Sequence, residues 1–342
     1  MIHTAIIGFG MSGKTIHFPI LHAHESFKVT HVMSSNKKTK PYLLDKGSDA
    51  LVVEDFQEVL SDPSVDLLVI SVPNHLHYEF VKRAIEAGKH AIVEKPFVKT
   101  HKEAKALFEL AKKKKTVLRV FHNRKYDGDF MTVKALIEQG TLQDVFYMSA
   151  RFDRLRVAPK EGWRTEEGVM SGVFYDLGPH LFHYAVSLFG LPRSVYCDLI
   201  TDHEGLKTDD HFEATLYYDG LRVSLGSEQF ARYALPKFHL KGRNASYVKL
   251  GFDIPEFVEY PMPADYQGGL FSKIYANESS IGKDVPVLTG AHYRFYDDLS
   301  DAIHHGRLTD EDTRISLAVI QAMEAAVQSH EEKRRIELET IS

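Results

Sequence analysis

The sequence predicts an α/β protein of two domains: a doubly wound parallel sheet over residues 1–122, then over 123–342 an α+β domain with a large open antiparallel sheet. Three observations predict it. Short apolar runs alternate with helix-period segments up to about residue 122, and the first run leads straight into a glycine-rich turn. After residue 123, strand candidates follow one another with few helices between them.

In the first part, strands are expected at 4–8, 28–34, 50–53, 67–72, 90–93 and 116–121. Ala84, Ala87 and Gly88 close one crossover helix, with the glycine just past its end. Thr100-His101-Lys102-Glu103 opens another as a capping box and puts Ala104, Leu107, Phe108 and Ala111 on one face. Its end carries Lys112 to Lys115, where cations complement the helix dipole. Pro19 stands deep enough in the first helix to remove a donor, and so to kink or end it.

Beyond residue 123, Phe130, Val133, Leu136 and Ile137 mark one helix, started by Asp129 and stopped by Gly140. Strands are expected at 145–152, 195–200, 211–218, 221–227, 238–241 and 247–250, with Asp219-Gly220 a hairpin turn between two of them. Tyr293, Tyr296, Leu299 and Ile303 recur at helical spacing and read as core. A capping box from Thr309 to Asp312 opens a last helix, about 309–329, through Ile315, Ala318, Val319, Ala322 and Ala326; this helix can pack back on the first domain.

The 42 Lys and Arg against 47 Asp and Glu give a formal charge of −5 with no basic tract, which argues against nucleic acid as the partner. Cys197 is the only cysteine. That excludes an internal disulfide, a CxxC pair and a cysteine-rich zinc site, and suits a reducing cytoplasm. Residues 1–7 read as a strand rather than a signal peptide. The longest uncharged stretch, 177–192, is interrupted by Gly178, Pro179, His180 and His183, and is shorter than the roughly 18–20 apolar residues of a membrane span.

Gly8-Phe9-Gly10-Met11-Ser12-Gly13 is a GxGxxG between a strand and a helix. Glycine there permits the tight turn and lets backbone amides approach a pyrophosphate, so a dinucleotide is favoured over an ordinary strand-to-helix turn. The end of the second strand, where a carboxylate would bind a ribose 2′-hydroxyl, holds Ser34-Ser35-Asn36-Lys37-Lys38 instead. Hydroxyls and lysines without a carboxylate favour NADP(H). The alternative is a solvated loop, with NAD held by Asn36 or Ser34.

Glu94-Lys95-Pro96 ends the fifth strand, on the side where a doubly wound sheet binds ligands, so Lys95 is expected to project towards the nicotinamide region. A snorkelling or salt-bridged lysine is the plainer alternative. Pro73-Asn74-His75-Leu76-His77 lies at the matching end of the fourth strand. Farther on, Asp176 and His180 are four residues apart and share a helix face if they lie on one helix. Alcohol–carbonyl interconversion needs a group to move the hydroxyl proton, and histidine titrates closest to neutrality. Alternatively the pair is a structural hydrogen bond; a zinc site lacks a third ligand at diagnostic spacing, so no metal is assigned. His22, His24, His304 and His305 read as surface or satisfied residues, while Arg124, Tyr126, Asp127, Arg154, Arg156, Trp163 and His183 are candidates to face a cleft.

Taken together, Gly8 to Gly13, Pro73-Asn74 with His77, Glu94-Lys95-Pro96, Asn123-Arg124, Trp163-Arg164 and Asp176-Leu177-Gly178-Pro179-His180 resemble the Gfo/Idh/MocA oxidoreductase family across almost the whole chain. Arg151-Phe152-Asp153-Arg154, Gly162-Trp163-Arg164 and Tyr175 to His180 are most similar to its NADP-dependent scyllo-inositol dehydrogenase-like branch. Pro19 is also usual in this family. The resemblance implies an N-terminal Rossmann domain and a C-terminal α/β domain whose sheet builds dimers or tetramers. It further implies NADP, with NAD possible, and interconversion of a secondary alcohol and a ketone on a cyclic polyol or sugar.

Carried onto this chain, Lys95 would touch substrate hydroxyl and cofactor, His180 would be the general acid/base, and Asp176 would orient that pair. Gly8, Gly10 and Gly13 would cradle the pyrophosphate among Phe9, Met11 and Ser12, and Ser34, Ser35, Asn36 and Lys37 would take the ribose end. Pro73, Asn74, His77, Glu94, Pro96 and Asn123 would shape the nicotinamide side. Trp163 and Arg164 would close on cofactor or substrate, and Arg124 and Tyr126 would join Lys95, Trp163, Asp176 and His180 around the substrate. One departure is the wide spacing of Gly168 and Gly172. A non-catalytic regulatory protein of the same fold and a nucleotide-sugar oxidoreductase are the alternatives. The survival of Lys95, Asp176 and His180 weighs against the first.

Overall fold

A computed structural model describes residues 1–158, 166, 168, 170–251, 271–276, 281–306 and 310–339. They form two compact units: Met1–His122 with the described residues of His292–Arg314, and the described residues of 123–291 with those from Ile315 onward. Among the described residues no helix is long and apolar enough to cross a membrane.

The first unit runs β1 (Ile2–Ile7), α1 (Phe18–Ala23), β2 (Phe27–Met33), α2 (Thr39–Asp45), β3 (Leu51–Val53), α3 (Phe56–Ser61), β4 (Leu67–Ile70), α4 (His77–Glu86), β5 (His90–Val93), α5 (His101–Lys114) and β6 (Leu118–Val120). Its six strands are all parallel, in the order β3-β2-β1-β4-β5-β6. Strand order reverses between β1 and β4, which opens a crevice beyond their carboxyl ends. Continuous apolar runs fit strands covered on both faces: Leu67, Leu68, Val69 and Ile70 are all fully buried. The Thr100 and Glu103 capping box forms in both directions at α5.

Pro19 does not break the first helix. A π-helical turn over Gly13–His17 precedes it, in which the Phe18 N–H reaches back five residues to the Gly13 carbonyl. The wide turn removes the i→i−4 register against which a proline ring clashes, and leaves Pro19 in the first turn of α1. The helix Arg294–His305 also belongs to this unit: the Phe121 and Phe295 rings meet edge to face at 4.8 Å, and Arg119 lies over Phe295 while pairing with Asp312.

The second unit contains α6 (Gly128–Glu138), β7 (Tyr147–Arg151), α7 (Gly172–Phe189), β8 (Ser194–Ile200), β9 (His211–Tyr218), β10 (Leu221–Glu228), β11 (Phe238–Lys241), β12 (Ala245–Lys249), β13 (Ser272–Ala276), β14 (Lys283–Asp284) and β15 (Ile336–Glu337). The sheet order is β14-β13-β12-β11-β7-β10-β9-β8-β15. The expected antiparallel sheet is in fact mixed, because β10 lies parallel to β7. Between those two strands the chain passes through α7, β8 and β9, and only such a long crossover brings a strand back in the same direction. The hairpin at Asp219-Gly220 forms as the sequence predicts, with Gly220 at φ +69°.

The helix Asp310–Glu332 is divided between the units: through Arg314 it belongs to the first, where Asp312 pairs with Arg119. From Ile315 onward it belongs to the second unit, where Ala318, Val319, Ala322, Met323 and Ala326 join α7 and the sheet in one apolar core. The shorter helix before it, Arg294–His305, lies wholly in the first unit. Thr309, expected to open the capping box, lies outside the described residues.

Candidate active site

The glycine turn is shaped by two backbone approaches. A Cβ on Gly8 would fall 2.3 Å from the Ser71 carbonyl at the end of β4, at φ +94°, and one on Gly13 would fall 2.3 Å from the Gly8 carbonyl. Gly10 differs: a Cβ there meets nothing within 4 Å, and the residue is exposed at the crest of the turn. The open cradle in front of Gly10, at the start of a helical run and at the sheet's switch point, fits a dinucleotide pyrophosphate.

Glu94, at the end of β5, is the hub behind that turn. The Ser12 hydroxyl and His17 Nε2 (3.0 Å) both donate to Oε1, and the Lys95 backbone N–H donates to Oε2 at 3.2 Å. Burial alone would raise its pKa, but the hydrogen bond and charge of His17, the charge of Lys95 and the Ser12 hydroxyl bring it down to about 2. The structure thus joins Ser12, Glu94 and the backbone of Lys95. His17 carries no sequence signal for a site; only the fold brings it here.

His77, expected near the cofactor, is fully buried. Its Nδ1 lies 2.7 Å from the Pro96 carbonyl and its Nε2 3.0 Å from the Val72 carbonyl, and burial pushes its pKa down. It braces the loop after β4 against the loop after β5 and is committed to the interior. Pro73 and the buried Asn74 begin the short 3-10 turn Asn74–Leu76 on the same rim.

Beyond β2, the Ser34 hydroxyl pairs with Thr39 Oγ1 at 2.8 Å and accepts the Asn36 N–H, while Asn36 Oδ1 accepts the Lys38 N–H at 2.9 Å. Ser34 and Asn36 therefore build the loop, and Ser35 and Lys37 are exposed on it.

In the second unit, Asp176 and His180 lie on the single helix α7, Asp176 half-buried and His180 buried. The His180 ring stands edge-on to Phe152, 6.3 Å between centroids. Arg124 lies 5.1 Å over the same Phe152 ring and donates to Asp127 Oδ2 at 2.9 Å; burial opposes its charge, but Asp127 holds its pKa up. Tyr184, one turn beyond His180, donates to the same carboxylate at 3.2 Å, and Lys237 bridges Asp127 and Asp129. Asn123 and the buried Tyr126 sit with Arg124 in the turn Asn123–Tyr126. Sequence reasoning missed Asp129, Phe152, Tyr184 and Lys237 as supports, since no motif links four distant segments.

Lys95 belongs to the first unit, and Asp176, His180, Arg124 and Tyr126 to the second. Trp163 and Arg164 lie outside the described residues, as do Val169 and the residues flanking Gly168. Among the described residues there is no group of three or more His, Cys, Asp or Glu able to hold a metal ion.

Residues 2–122 match the model of an oxidoreductase family with an NAD-binding Rossmann fold, Gfo/Idh/MocA, and residues 130–248 match that family's C-terminal domain. The chain is 32% identical to scyllo-inositol 2-dehydrogenase (NADP(+)) IolW of Bacillus subtilis, over 99% of this chain and 96% of that protein. The oxidoreductase yvaA of Bacillus subtilis superposes with a TM-score of 0.88 at 30% identity, covering 99% of this chain and 98% of that one. An oxidoreductase from Bacillus cereus superposes at 0.85 and 28% identity over the whole of both chains. With both domain models matched in order along a chain whose glycine turn, β5 lysine and α7 pair occupy the expected elements, the protein belongs to the Gfo/Idh/MocA family of oxidoreductases.

Proposed function

We propose that this oxidoreductase is an NADP(H)-dependent dehydrogenase that interconverts a secondary alcohol and a ketone on a cyclic polyol or sugar. The observation that carries the proposal is the Ser12, Glu94 and Lys95 arrangement, in which one carboxylate holds both the glycine turn and the backbone of Lys95 and is acted on by the Lys95 charge. NADP rather than NAD is supported by the loop after β2, where exposed Lys37 and Lys38 stand in place of a carboxylate. An inositol-like substrate is supported by the name of the Bacillus subtilis relative.

When bound, the nicotinamide supplies the hydride acceptor or donor. The chain supplies binding and the proton. Lys95 holds and polarises the substrate oxygen. His180 takes the hydroxyl proton in oxidation and returns it in reduction, and Asp176, one turn earlier, orients it by hydrogen bonding and charge. Phe152 limits the water around the imidazole, and Arg124, fixed by Asp127, offers a positioned donor to substrate hydroxyls. We further assign a homo-oligomer in a reducing, cytoplasmic setting, to which the single buried thiol of Cys197 is suited.

The test is a panel of inositols and aldoses assayed with NADP and with NAD. Turnover with NADP is expected, and Lys95→Met should lower kcat by about 10²–10⁴-fold while NADPH still binds. Turnover unchanged by Lys95→Met would overturn the mechanism, and tight NAD binding without NADP binding would overturn the cofactor assignment.

A further inference from the structure

Glu94 does more than shape a pocket wall. Its side chain is only 13% exposed, and three donors engage it: the Ser12 hydroxyl, His17 Nε2–H and the Lys95 backbone N–H. Behind it, the Tyr296 hydroxyl lies 2.6 Å from His17 Nδ1, and both residues are fully buried. His17 Nε2 donates to Glu94 and Nδ1 pairs with the Tyr296 hydroxyl, so each polar group in the row is matched. His17 is also packed at 4.3 Å from the Phe121 ring, which fixes the imidazole in place. All of these residues lie in the first unit.

We propose, resting on the dinucleotide reading of the glycine turn, that Glu94 is a positioning residue: its carboxylate clamps that turn, through Ser12, to the backbone of Lys95. The cofactor's seat and the substrate-holding lysine are then set by one joint. The Ser12 proton is committed to Glu94, so Ser12 acts on nucleotide binding through the carboxylate and not by donating to a phosphate. Glu94 is an anion behind an anion-binding turn; in this role the order it imposes on the turn outweighs the repulsion. The His17 and Tyr296 pair sets where the carboxylate stands.

The clamp is tested by calorimetric NADPH titration of the wild type, Ser12→Ala, Glu94→Gln and the double variant. Ser12→Ala is expected to weaken NADPH about tenfold in the wild-type background and less than twofold in the Glu94→Gln background, the non-additivity of partners in one charge-assisted bond. Equal weakening in both backgrounds would make Ser12 a direct phosphate ligand and overturn the proposal, as would tighter NADPH binding by Glu94→Gln. Should Glu94→Gln fail to fold, amide hydrogen exchange of Ser12→Ala without nucleotide decides. Faster exchange is expected both in 8–13 and at Glu94 and Lys95, and acceleration confined to 8–13 overturns the clamp. Failure of the wild type to bind either NADPH or NADH would overturn the cofactor reading alone, because the exchange measurement needs no nucleotide.

Discussion

The three glycines of the GxGxxG serve different causes. Gly8 and Gly13 are demanded by the polypeptide itself, since a methyl group at either would strike a backbone carbonyl at 2.3 Å. Gly10 has open space before it and is demanded only by what approaches the crest of the turn. Gly10→Ala should therefore leave thermal stability within about 0.5 kcal/mol of wild type and weaken NADPH at least tenfold. Gly8→Ala should cost about 3 kcal/mol through backbone clash and left-handed strain. Thermal denaturation beside a nucleotide titration separates the two, and equal destabilisation by both variants would contradict the assignment. The motif was legible in the sequence at this scale. The division of labour within it was not, because it depends on Ser71, a residue 63 positions from Gly8 that no periodicity links to the turn.

At the scale of elements, α7 carries Asp176 and His180 and starts at a constrained point. The Asp209 side chain accepts the Phe174 N–H at 2.6 Å and its carbonyl accepts the Val173 N–H at 3.0 Å, while a Cβ on Gly172 would fall 2.0 Å from Asp209 Oδ1. Burial, with the nearby Asp210 charge adding to it, pushes the Asp209 carboxyl up to about 7 despite those helix donors. An acid whose folded pKa is raised keeps its proton where the unfolded chain has lost it. Stability therefore declines as pH rises from about 4 to about 7, and the decline stops above that. Asp209→Asn keeps the cap acceptor without the charge, so its stability relative to wild type should be greater at pH 8 than at pH 5. Urea unfolding at the two values checks this, and parallel behaviour of the two proteins would refute it. The helix and its Asp/His spacing were readable from sequence; its cap was not, since Asp209 follows it by some 20 residues in a loop.

For the whole molecule, the two units and their sheets follow from patterning that sequence displays. Apolar runs separated by amphipathic segments give the parallel sheet, and alternating strands joined by short turns give most of the second. What patterning leaves open is which strand returns beside which, hence the parallel β7 and β10 pair. At about 100 times its Kd, NADPH should stabilise the unit that binds it by about 2.7 kcal/mol, read as a rise in Tm, and NADH at the same concentration should give a smaller rise. Equal shifts would remove the argument drawn from Lys37 and Lys38.

The sequence by itself determined the fold class, the glycine turn, the lysine after β5 and the Asp176 and His180 pair, because each depends on local spacing and on backbone chemistry within a few residues. Only the tertiary structure decided that His17 and Tyr296 stand behind Glu94, that Ser12 faces the carboxylate, that His77 turns inward, and that the last long helix completes the second core. These depend on contacts between residues tens to hundreds of positions apart. Such contacts are fixed by close packing and by the need to match every buried polar group, neither of which leaves a periodic trace in the chain.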